Sequence, residues 1–260
     1  MSAVPLSCCI ITKNEADRIE ACIRAVQPIA DEVVVVDSGS TDDTVARAQA
    51  LGARVIHRDW EGYGPQKRFA EQAARNDWIL NLDADEVAGE DFRREVAALL
   101  AEGEPPFAAY KVRLVPVYPG QDRPRPWSSA HNHVRLYDRR RTGFPESLVH
   151  DAVDTRGEAV GQIRAGVPHY SLRSLGHLRE KLDSYTRLQA KELRKPPWLV
   201  MARLPFEYPA VFLRYYLVRR NFTGGWFGLG FSHISAEMRV RRLWRILRAT
   251  RAERQAATER

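Results

Sequence analysis

Asp31-Glu-Val-Val-Val-Val-Asp37 places four consecutive valines between acidic residues. A uniformly apolar strand fits burial on both faces, which is typical of parallel sheets covered by helices. Apolar runs at 6–12, 54–57 and 78–82 accompany it along the chain, and segments with helical spacing separate them. This alternation predicts an α/β fold with a mostly parallel, Rossmann-like sheet and helices on both faces.

The composition is that of an ordinary globular protein. The chain has 260 residues, of which 44% are hydrophobic, enough for one large or two small domains. Its cysteines, Cys8, Cys9 and Cys22, form no Cys-x-x-Cys pair, which argues against a zinc site or a disulfide framework. The first residues lack the basic start and apolar run of a signal peptide. We therefore expect a reducing, cytoplasmic location.

The net charge of +7 is unevenly distributed. Residues 200–260 contain twelve arginines, no lysine and four acids, so this segment carries +8 and residues 1–199 sum to −1. Such a segment favours phosphate-bearing partners: anionic lipid, a lipid-linked or lipopolysaccharide acceptor, or nucleic acid. No DNA- or RNA-reading motif is recognisable, so we expect no nucleic-acid partner.

Aromatic residues are interleaved with these arginines between Phe206 and Trp244. No stretch of eighteen residues there is free of charge, which argues against a spanning helix. Two alternatives stay open. The aromatics belong either to a soluble lid or dimer surface, or to a membrane-surface element that sets them at headgroup level with arginines against lipid phosphate. The second alternative predicts a peripheral protein on the inner face of the cytoplasmic membrane.

The pattern of the chain changes after Leu100. Residues 110–115 and 133–137 alternate as half-buried strands do, and 118–126 between them is a proline-rich loop. From Ser174 leucines recur at helical spacing. The predicted organisation is a first domain at 1–172, with halves 1–100 and 101–172, and a helical, basic, aromatic-rich region at 173–260.

Leu80-Asn-Leu-Asp-Ala-Asp-Glu86 ends a buried strand with two carboxylates one residue apart, Asp83 and Asp85. Open α/β sheets bind ligands at the carboxyl ends of their strands. Carboxylates are hard oxygen ligands that suit Mg²⁺ or Mn²⁺, and such an ion can also hold a diphosphate. The alternative is a turn in which these acids cap the following helix.

Other predicted elements bring polar residues to the same edge. They are Thr12, Asn14 and Glu15 after the first strand, Asp37, Ser38 and Gly39 after the valine strand, and Lys67 at the mouth of a helix. Asp37 can accept from a base N–H or a ribose hydroxyl, or it can close an Asx-turn. Lys67 can meet phosphate or lie on a solvated face. The gathering of these residues at one edge is a far more specific sign of a ligand site than any one of them alone.

Three motifs carry a family resemblance: Ile11-Thr-Lys-Asn-Glu15, Val36-Asp-Ser-Gly-Ser-Thr-Asp-Asp-Thr44 and Leu82-Asp-Ala-Asp-Glu86. They resemble the motifs of family 2 glycosyltransferases with the GT-A fold, and most of all those of bacterial lipopolysaccharide core β-glucosyltransferases. The resemblance implies a nucleotide-diphosphosugar donor, Mg²⁺ or Mn²⁺, and inversion at the anomeric carbon. It identifies 1–172 as a catalytic domain with a nucleotide-binding half and an acceptor-side half.

The resemblance also implies roles for particular residues. It suggests that Thr12 and Asp37 hold the uridine and that Asp83 and Asp85 bind the metal. The residues expected at the UDP-sugar are Thr12, Asn14, Glu15, Asp37, Ser38, Gly39, Lys67, Asp83 and Ala84.

An inverting transfer needs a general base that takes the proton from the acceptor hydroxyl. The candidates are Glu146, Asp151 and Asp154. Relatives resembling this chain show Val-His-Glu where this one reads Val-His-Asp151, so we assign the base to Asp151, with Glu146 second. His150 would orient that segment or contact the diphosphate. His169 could be a further metal or phosphate ligand, and Arg135 could contact the donor or the acceptor.

The sequence therefore predicts an inverting transferase that moves a hexose, with glucose favoured, from a UDP-sugar to a lipid-linked or lipopolysaccharide-core saccharide. Alternatives are transfer to polyprenyl phosphate or protein, and a non-catalytic membrane adaptor of the same fold. Another alternative is a nucleotidyltransferase on a similar sheet. Such enzymes usually carry a glycine-rich loop directly after the first strand, and the absence of glycine directly after Thr12 argues against this alternative.

Overall fold

The computed structural model describes residues 4–146, 152–192 and 196–258, without the side chains of 188, 190–192 and 251–258. The chain divides into two compact units. The first comprises Met1–Pro116 and Ala130–Ser171, and the second comprises Val117–Ser129 and Leu172–Arg260. The predicted division between 1–172 and 173–260 differs from these units, because 117–129 and Leu172 group with the second unit.

The first part of the first unit alternates strands and helices. The strands are β1 (Leu6–Thr12), β2 (Glu32–Asp37), β3 (Arg54–His57) and β4 (Trp78–Asp83), and the helices are α1 (Ile19–Val26), α2 (Thr44–Ala50), α3 (Tyr63–Ala73) and α4 (Glu90–Ala101). The predicted strands agree within one residue at each end. Helix α1 begins only at Ile19, because Asn14 has a left-handed φ of +56° and a turn precedes the helix.

Three more strands complete a seven-stranded sheet: β5 (Ala109–Pro116), β6 (His131–Asp138) and β7 (Val160–His169). The strand order is β3-β2-β1-β4-β6-β5-β7, in which β6 runs antiparallel to both of its neighbours and the other pairs are parallel. The predicted α/β fold with a mostly parallel sheet is confirmed. Strand β7 has no counterpart among the strands predicted from the sequence.

The valine strand shows why the sheet is buried on both faces. Val33 and Val35 pack into one hydrophobic cluster, whereas Val34 and Val36 pack into the cluster on the opposite side. Alternate side chains of a strand point to opposite faces, so four consecutive valines supply both layers. This burial fixes the register of β2, because a one-residue slip would exchange the two sets.

The second unit is helical. It contains α5 (Leu175–Glu192), α6 (Pro197–Leu213), a π-helical turn (Arg214–Val218), a 3₁₀ turn (Asn221–Gly224) and α7 (Gly225–Thr258). One apolar cluster joins α6 to α7 and another joins α5 to α7. None of the helices in the described ranges combines the length and the apolar composition needed to cross a bilayer.

The proline-rich loop belongs to this second unit through Arg125, which is 7% exposed. Its guanidinium donates to the Asn221 side-chain oxygen at 2.7 Å and to the Thr223 hydroxyl at 2.9 Å. It also lies 5.0 Å from the centre of the Tyr118 ring. A buried guanidinium needs such acceptors, and these contacts fix 117–129 within the second unit.

Candidate active site

The carboxyl ends of β1, β2 and β4 lie side by side at one edge of the sheet. Thr12 of β1 is in register with Asp37 of β2, and Ile11 of β1 is in register with Asp83 of β4. Parallel strands present their carboxyl ends at the same edge. The predicted convergence of Thr12, Asp37 and Asp83 therefore holds at the level of strand register.

Asp37 closes a tight turn at the end of β2. Its carboxylate accepts hydrogen bonds from the amides of Gly39 and Ser40, both at 2.9 Å, and from the Ser40 hydroxyl. Gly39 has a φ of +84°, a conformation that glycine adopts without strain. The Asx-turn is therefore present. It holds a carboxylate that is 3% exposed and can still accept further hydrogen bonds.

A small set of buried polar groups accompanies this turn. The Gln66 amide donates to the Ser38 hydroxyl at 3.0 Å and to the Arg58 carbonyl at 2.9 Å. Within the described residues, the Thr12 hydroxyl and the Gln66 side-chain oxygen are buried without a hydrogen-bond partner. A buried unpaired polar atom costs about 1–3 kcal/mol. These atoms mark a place where a polar ligand would restore hydrogen bonds.

Asn14 and Glu15 join the loops that follow β1 and β2. The Asn14 side-chain oxygen accepts from the Thr41 amide at 2.8 Å, and the Asn14 amide donates to the Ser40 hydroxyl at 2.8 Å. The Glu15 amide donates to the Thr44 hydroxyl at 2.8 Å. These contacts are structural, and the roles of Asn14 and Glu15 toward a donor stay predictions.

Asp83 is held by two cationic side chains. Lys67 Nζ lies 3.0 Å from one of its oxygens, and Arg135 Nη2 lies 2.7 Å from the other. The Lys67 side chain is 1% exposed, whereas that of Asp83 is 32% exposed. Burial alone would raise the pKa of Asp83, but Arg135 and Lys67 outweigh it and hold the pKa well below its ordinary value. Asp83 is therefore an ionised carboxylate with a fixed cation on each oxygen.

Glu86 lies fully buried next to this pair. The Arg135 guanidinium contacts the Glu86 carboxylate and donates to the Asn81 side-chain oxygen at 3.2 Å. Burial raises the pKa of Glu86 to about 7, although Arg135 lowers it. One guanidinium thus serves Glu86 and Asp83 inside the fold. Contact of Arg135 with the donor or the acceptor stays a prediction.

Asp85 lies beside His169 and Arg18. The Tyr170 amide donates to the Asp85 carbonyl at 2.8 Å, which brings the end of β7 against the segment after β4. His169 Nε2 lies 3.4 Å and Arg18 Nη1 3.3 Å from Asp85 Oδ2. Burial raises the pKa of Asp85, but His169 and Arg18 outweigh it and the pKa lies below its ordinary value. Burial lowers the pKa of His169, but Asp85 outweighs it and the pKa lies above its ordinary value.

The donor atoms of Asp85 and His169 suit a divalent cation. A carboxylate oxygen and a neutral imidazole nitrogen are accepted ligands of Mn²⁺, and Mg²⁺ is commonly held by one or two carboxylates with water and substrate phosphates. In the part of the chain that the structure describes, no three His, Cys, Asp or Glu side chains are grouped to hold a metal. At Asp83, a metal would first have to displace Lys67 or Arg135.

The candidates for a general base are placed only in part. Asp151 and His150 lie outside the described residues. The Glu146 side chain is 78% exposed, and its carboxylate lies 3.2 Å from Arg68 Nη2. Glu146 is therefore a solvated carboxylate, whose service as the base stays a prediction.

Three polar residues at this edge carry no prediction from the sequence: Arg18, Gln66 and Glu86. Arg18 donates to the Tyr170 carbonyl at 2.9 Å, and its Nη2 is buried with no hydrogen-bond partner among the described residues. Arg18 and Gln66 stand outside any motif, so only the fold reveals them. Glu86 ends the Asp-Ala-Asp-Glu motif, but the local pattern does not announce its burial.

Ala84 has an apolar side chain, and its role at this edge differs from those of the polar residues around it. Ala84 is 4% exposed and packs into the hydrophobic cluster that includes Leu82. It lies between Asp83 and Asp85, in the turn that directly follows β4. A direct contact of Ala84 with a donor stays a prediction.

The family model described as Glycosyl transferase family 2 matches residues 7–155. A glycosyltransferase of Rickettsia bellii (strain RML369-C) is 37% identical over 251 residues, which cover 92% of this chain and 84% of the relative. The lipopolysaccharide core biosynthesis glycosyltransferase LpsC of Rhizobium meliloti (strain 1021) is 31% identical over 223 residues, which cover 82% of this chain and 81% of the relative.

Among solved structures, the chain is similar to glucosyl-3-phosphoglycerate synthase from Mycobacterium tuberculosis in complex with Mn²⁺, uridine diphosphate and glucosyl-3-phosphoglycerate. The identity is 29%, the TM-score is 0.34, and the match covers 45% of this chain. This chain spans 45% of the length of that protein.

Proposed function

The chain belongs to glycosyl transferase family 2, and from that premise we propose that it is an inverting hexosyltransferase that uses a UDP-sugar. The donor sugar is glucose, and the acceptor is a lipid-linked saccharide of the lipopolysaccharide-core type. The similarity to LpsC, named for lipopolysaccharide core biosynthesis, supports this acceptor class.

One observation carries the proposal: the register of β1, β2 and β4 places Thr12, Asp37 and Asp83 along one edge of the sheet. Among the described residues the Thr12 hydroxyl and the Gln66 side-chain oxygen have no hydrogen-bond partner, and both would gain hydrogen bonds from a uridine. Asp37 would accept from the base or the ribose with the lone pairs that its turn leaves open. Ser38 would fix Gln66 for this contact.

A divalent cation, Mg²⁺ or Mn²⁺, would be held by Asp85 with His169. When bound, such an ion neutralises the charge that develops on the leaving diphosphate. Arg18 supplies a buried N–H donor beside Asp85, and it would bind the same diphosphate. Asp83, whose two oxygens are paired with Lys67 and Arg135, would line this site as a carboxylate held in a fixed position.

The transfer step needs one proton acceptor. The acceptor hydroxyl attacks C1 of the sugar, the bond from C1 to the diphosphate oxygen breaks, and UDP departs. Asp151 takes the hydroxyl proton in this proposal, and Glu146 is the second candidate. A carboxylate positioned within hydrogen-bond reach contributes typically about 10²–10⁴-fold to such a step.

A donor screen tests the proposal. Thermal unfolding is followed with UDP-glucose, UDP-galactose, UDP-GlcNAc and GDP-mannose, each with Mn²⁺ or with EDTA. A ligand that binds only the folded state adds about 2.7 kcal/mol at a hundredfold excess over Kd. We expect one UDP-sugar to raise the melting temperature in Mn²⁺ and to lose most of this effect in EDTA.

The variant Asp85→Asn sharpens this test, with Asp91→Asn as its control. Asp91 is an exposed acid near the start of α4, 84% exposed and paired with Arg94. We expect Asp85→Asn to remove the Mn²⁺-dependent shift and UDP release, and Asp91→Asn to keep both. A full shift and full turnover in Asp85→Asn would contradict the metal assignment. No shift with any donor would contradict the transferase.

A further inference from the structure

Helix α6 has an unusual distribution of polarity. Its seventeen residues include only two charged side chains, Arg203 and Glu207. Glu207 is 5% exposed, whereas Trp198 is 71% exposed and Phe206 is 70% exposed. A surface helix of a water-soluble protein normally turns its apolar stripe to the core and its charges to water. In α6 the charged carboxylate points inward and the large apolar side chains point outward.

The buried carboxylate shows that this orientation is fixed. Glu207 lies 2.8 Å from Arg203 on its own helix and 3.4 Å from Arg239 on α7. On the same side, Val200 packs against Leu243 and Leu247 of α7. Rotation of α6 to hide its outer side chains would break the ion pair between Glu207 and Arg239 and expose this cluster. The apolar outer face is therefore a stable feature of the second unit.

The apolar surface continues past the end of α6. We define the α6 outer face as Trp198, Met201, Phe206, Leu213, Leu217 and Val218, each at least 50% exposed. Single exposed apolar residues are ordinary on a protein surface, but a run of six on one helix and its extension marks an interaction site.

Arginines border the far end of this face. From Pro197 to Trp226 the sequence has four arginines, no lysine and one acid, which is the buried Glu207. Arg214, the first residue of the π-helical turn, and Arg220, two residues after its end, are both exposed. A partner that covers the α6 outer face would therefore meet apolar side chains next to positive charge.

We propose that the α6 outer face docks on a bilayer surface rich in anionic lipid. Its apolar side chains lie at the boundary between headgroups and acyl chains, and the arginines contact lipid phosphate. Tryptophan is favoured at this level, where its ring is apolar and its N–H stays hydrated. Self-association is less suited, since the segment 197–226 has no exposed acid to meet a second copy's arginines.

This inference stands apart from the proposed sugar transfer, and its test needs no donor, metal or acceptor. The full chain is sedimented with vesicles of phosphatidylcholine alone and with vesicles of equal parts phosphatidylcholine and phosphatidylglycerol. We expect binding to the anionic vesicles, weakening with salt, and little binding to the neutral ones. Tryptophan fluorescence should shift to the blue on binding.

Two variants and one control locate the contact. The double change Trp198→Ser with Phe206→Ser should weaken partitioning into vesicles by about ten-fold or more, because each aromatic side chain that enters the bilayer adds favourable free energy of transfer from water. Arg214→Gln should weaken it by about five-fold on anionic vesicles alone. Trp244→Ser removes a 46% exposed tryptophan of α7 and should leave partitioning unchanged.

Several outcomes would overturn the proposal. Equal binding to both vesicle types would remove the anionic-lipid assignment. Loss of binding in Trp244→Ser but not in the α6 variants would move the contact to α7. If the chain is a dimer in solution that the α6 variants dissociate, and no vesicle binds, the face covers a second copy instead. Circular dichroism of each variant checks that its helices are intact.

Discussion

Replacement of Glu86 by glutamine tests whether the Glu86 carboxyl group, next to Asp83, is protonated near neutral pH. Glu86 is fully buried, and Arg135 is its cationic partner. Burial raises the pKa of Glu86 to about 7, against an ordinary value of 4.5, although Arg135 lowers it. Glutamine has nearly the shape of the protonated acid and cannot ionise. The variant therefore isolates the free energy of that ionisation.

The sign and the size follow from linkage. Between pH 4.5 and about 7, the folded chain keeps a proton that the unfolded chain releases, so the free energy of unfolding falls as the pH rises. At about 1.4 kcal/mol per pH unit, the wild type should lose about 3 kcal/mol relative to Glu86→Gln across this window. The pKa of Asp83 lies below its ordinary value, so its own effect falls at more acid pH.

Urea unfolding in EDTA, followed by tryptophan fluorescence from about pH 5 to about pH 8, measures this difference. Glu90→Gln is the control, because the Glu90 side chain is 82% exposed. We expect the stability of Glu86→Gln relative to wild type to rise with pH and that of Glu90→Gln to stay constant. A constant difference for Glu86→Gln would refute the reasoning, since it would show that Arg135 keeps Glu86 ionised throughout.

Two further changes have expected magnitudes. Lys67→Met leaves Asp83 with one cation instead of two, and urea titrations should show a free energy of unfolding lower by about 2 kcal/mol. This loss is smaller than for a fully buried ion pair because the Asp83 side chain is partly exposed. A Cβ on Gly228 would lie 1.8 Å from the Asn221 carbonyl oxygen, so Gly228→Ala should lower the free energy of unfolding by about 2 kcal/mol or more. A Cβ on Gly89 would meet nothing within 4 Å, so Gly89→Ala should change the free energy of unfolding by less than about 0.5 kcal/mol. Equal effects in the two alanine variants would contradict the close approach at Gly228.

The strands that the sequence predicts are those with a local pattern of apolar residues that indicates which of their faces are buried. Four valines in a row need both faces covered, so β2 could be recognised without its neighbours. Strand β7 has no such signal, because Gly161, Gly166 and Pro168 are residues typical of turns. The fold requires Gly161, since a Cβ there would lie 2.4 Å from the Tyr110 ring. That requirement depends on the pairing of β7 with β5 and cannot be seen locally.

The residues of the candidate site likewise fall into those that the local sequence predicts and those that depend on long-range pairing. Asp83 and Asp85 could be placed at a strand end from their own segment. Their partners could not, because Arg135 reaches Asp83 only through the antiparallel register of β6 with β4, in which Leu80 pairs with Leu136. Likewise, His169 meets Asp85 because the end of β7 is hydrogen-bonded to the segment after β4. Such contacts depend on long-range register, which no local pattern encodes.

These contacts make the two carboxylates of the acidic motif chemically different. The two oxygens of Asp83 are paired with Lys67 at 3.0 Å and with Arg135 at 2.7 Å. Asp85 is flanked by His169, whose charge disappears on deprotonation. In the proposed function, a divalent cation would replace a proton at the Asp85–His169 pair, whereas at Asp83 it would have to displace Lys67 or Arg135. In the proposed function, this difference separates metal binding at Asp85 from the fixed architecture at Asp83.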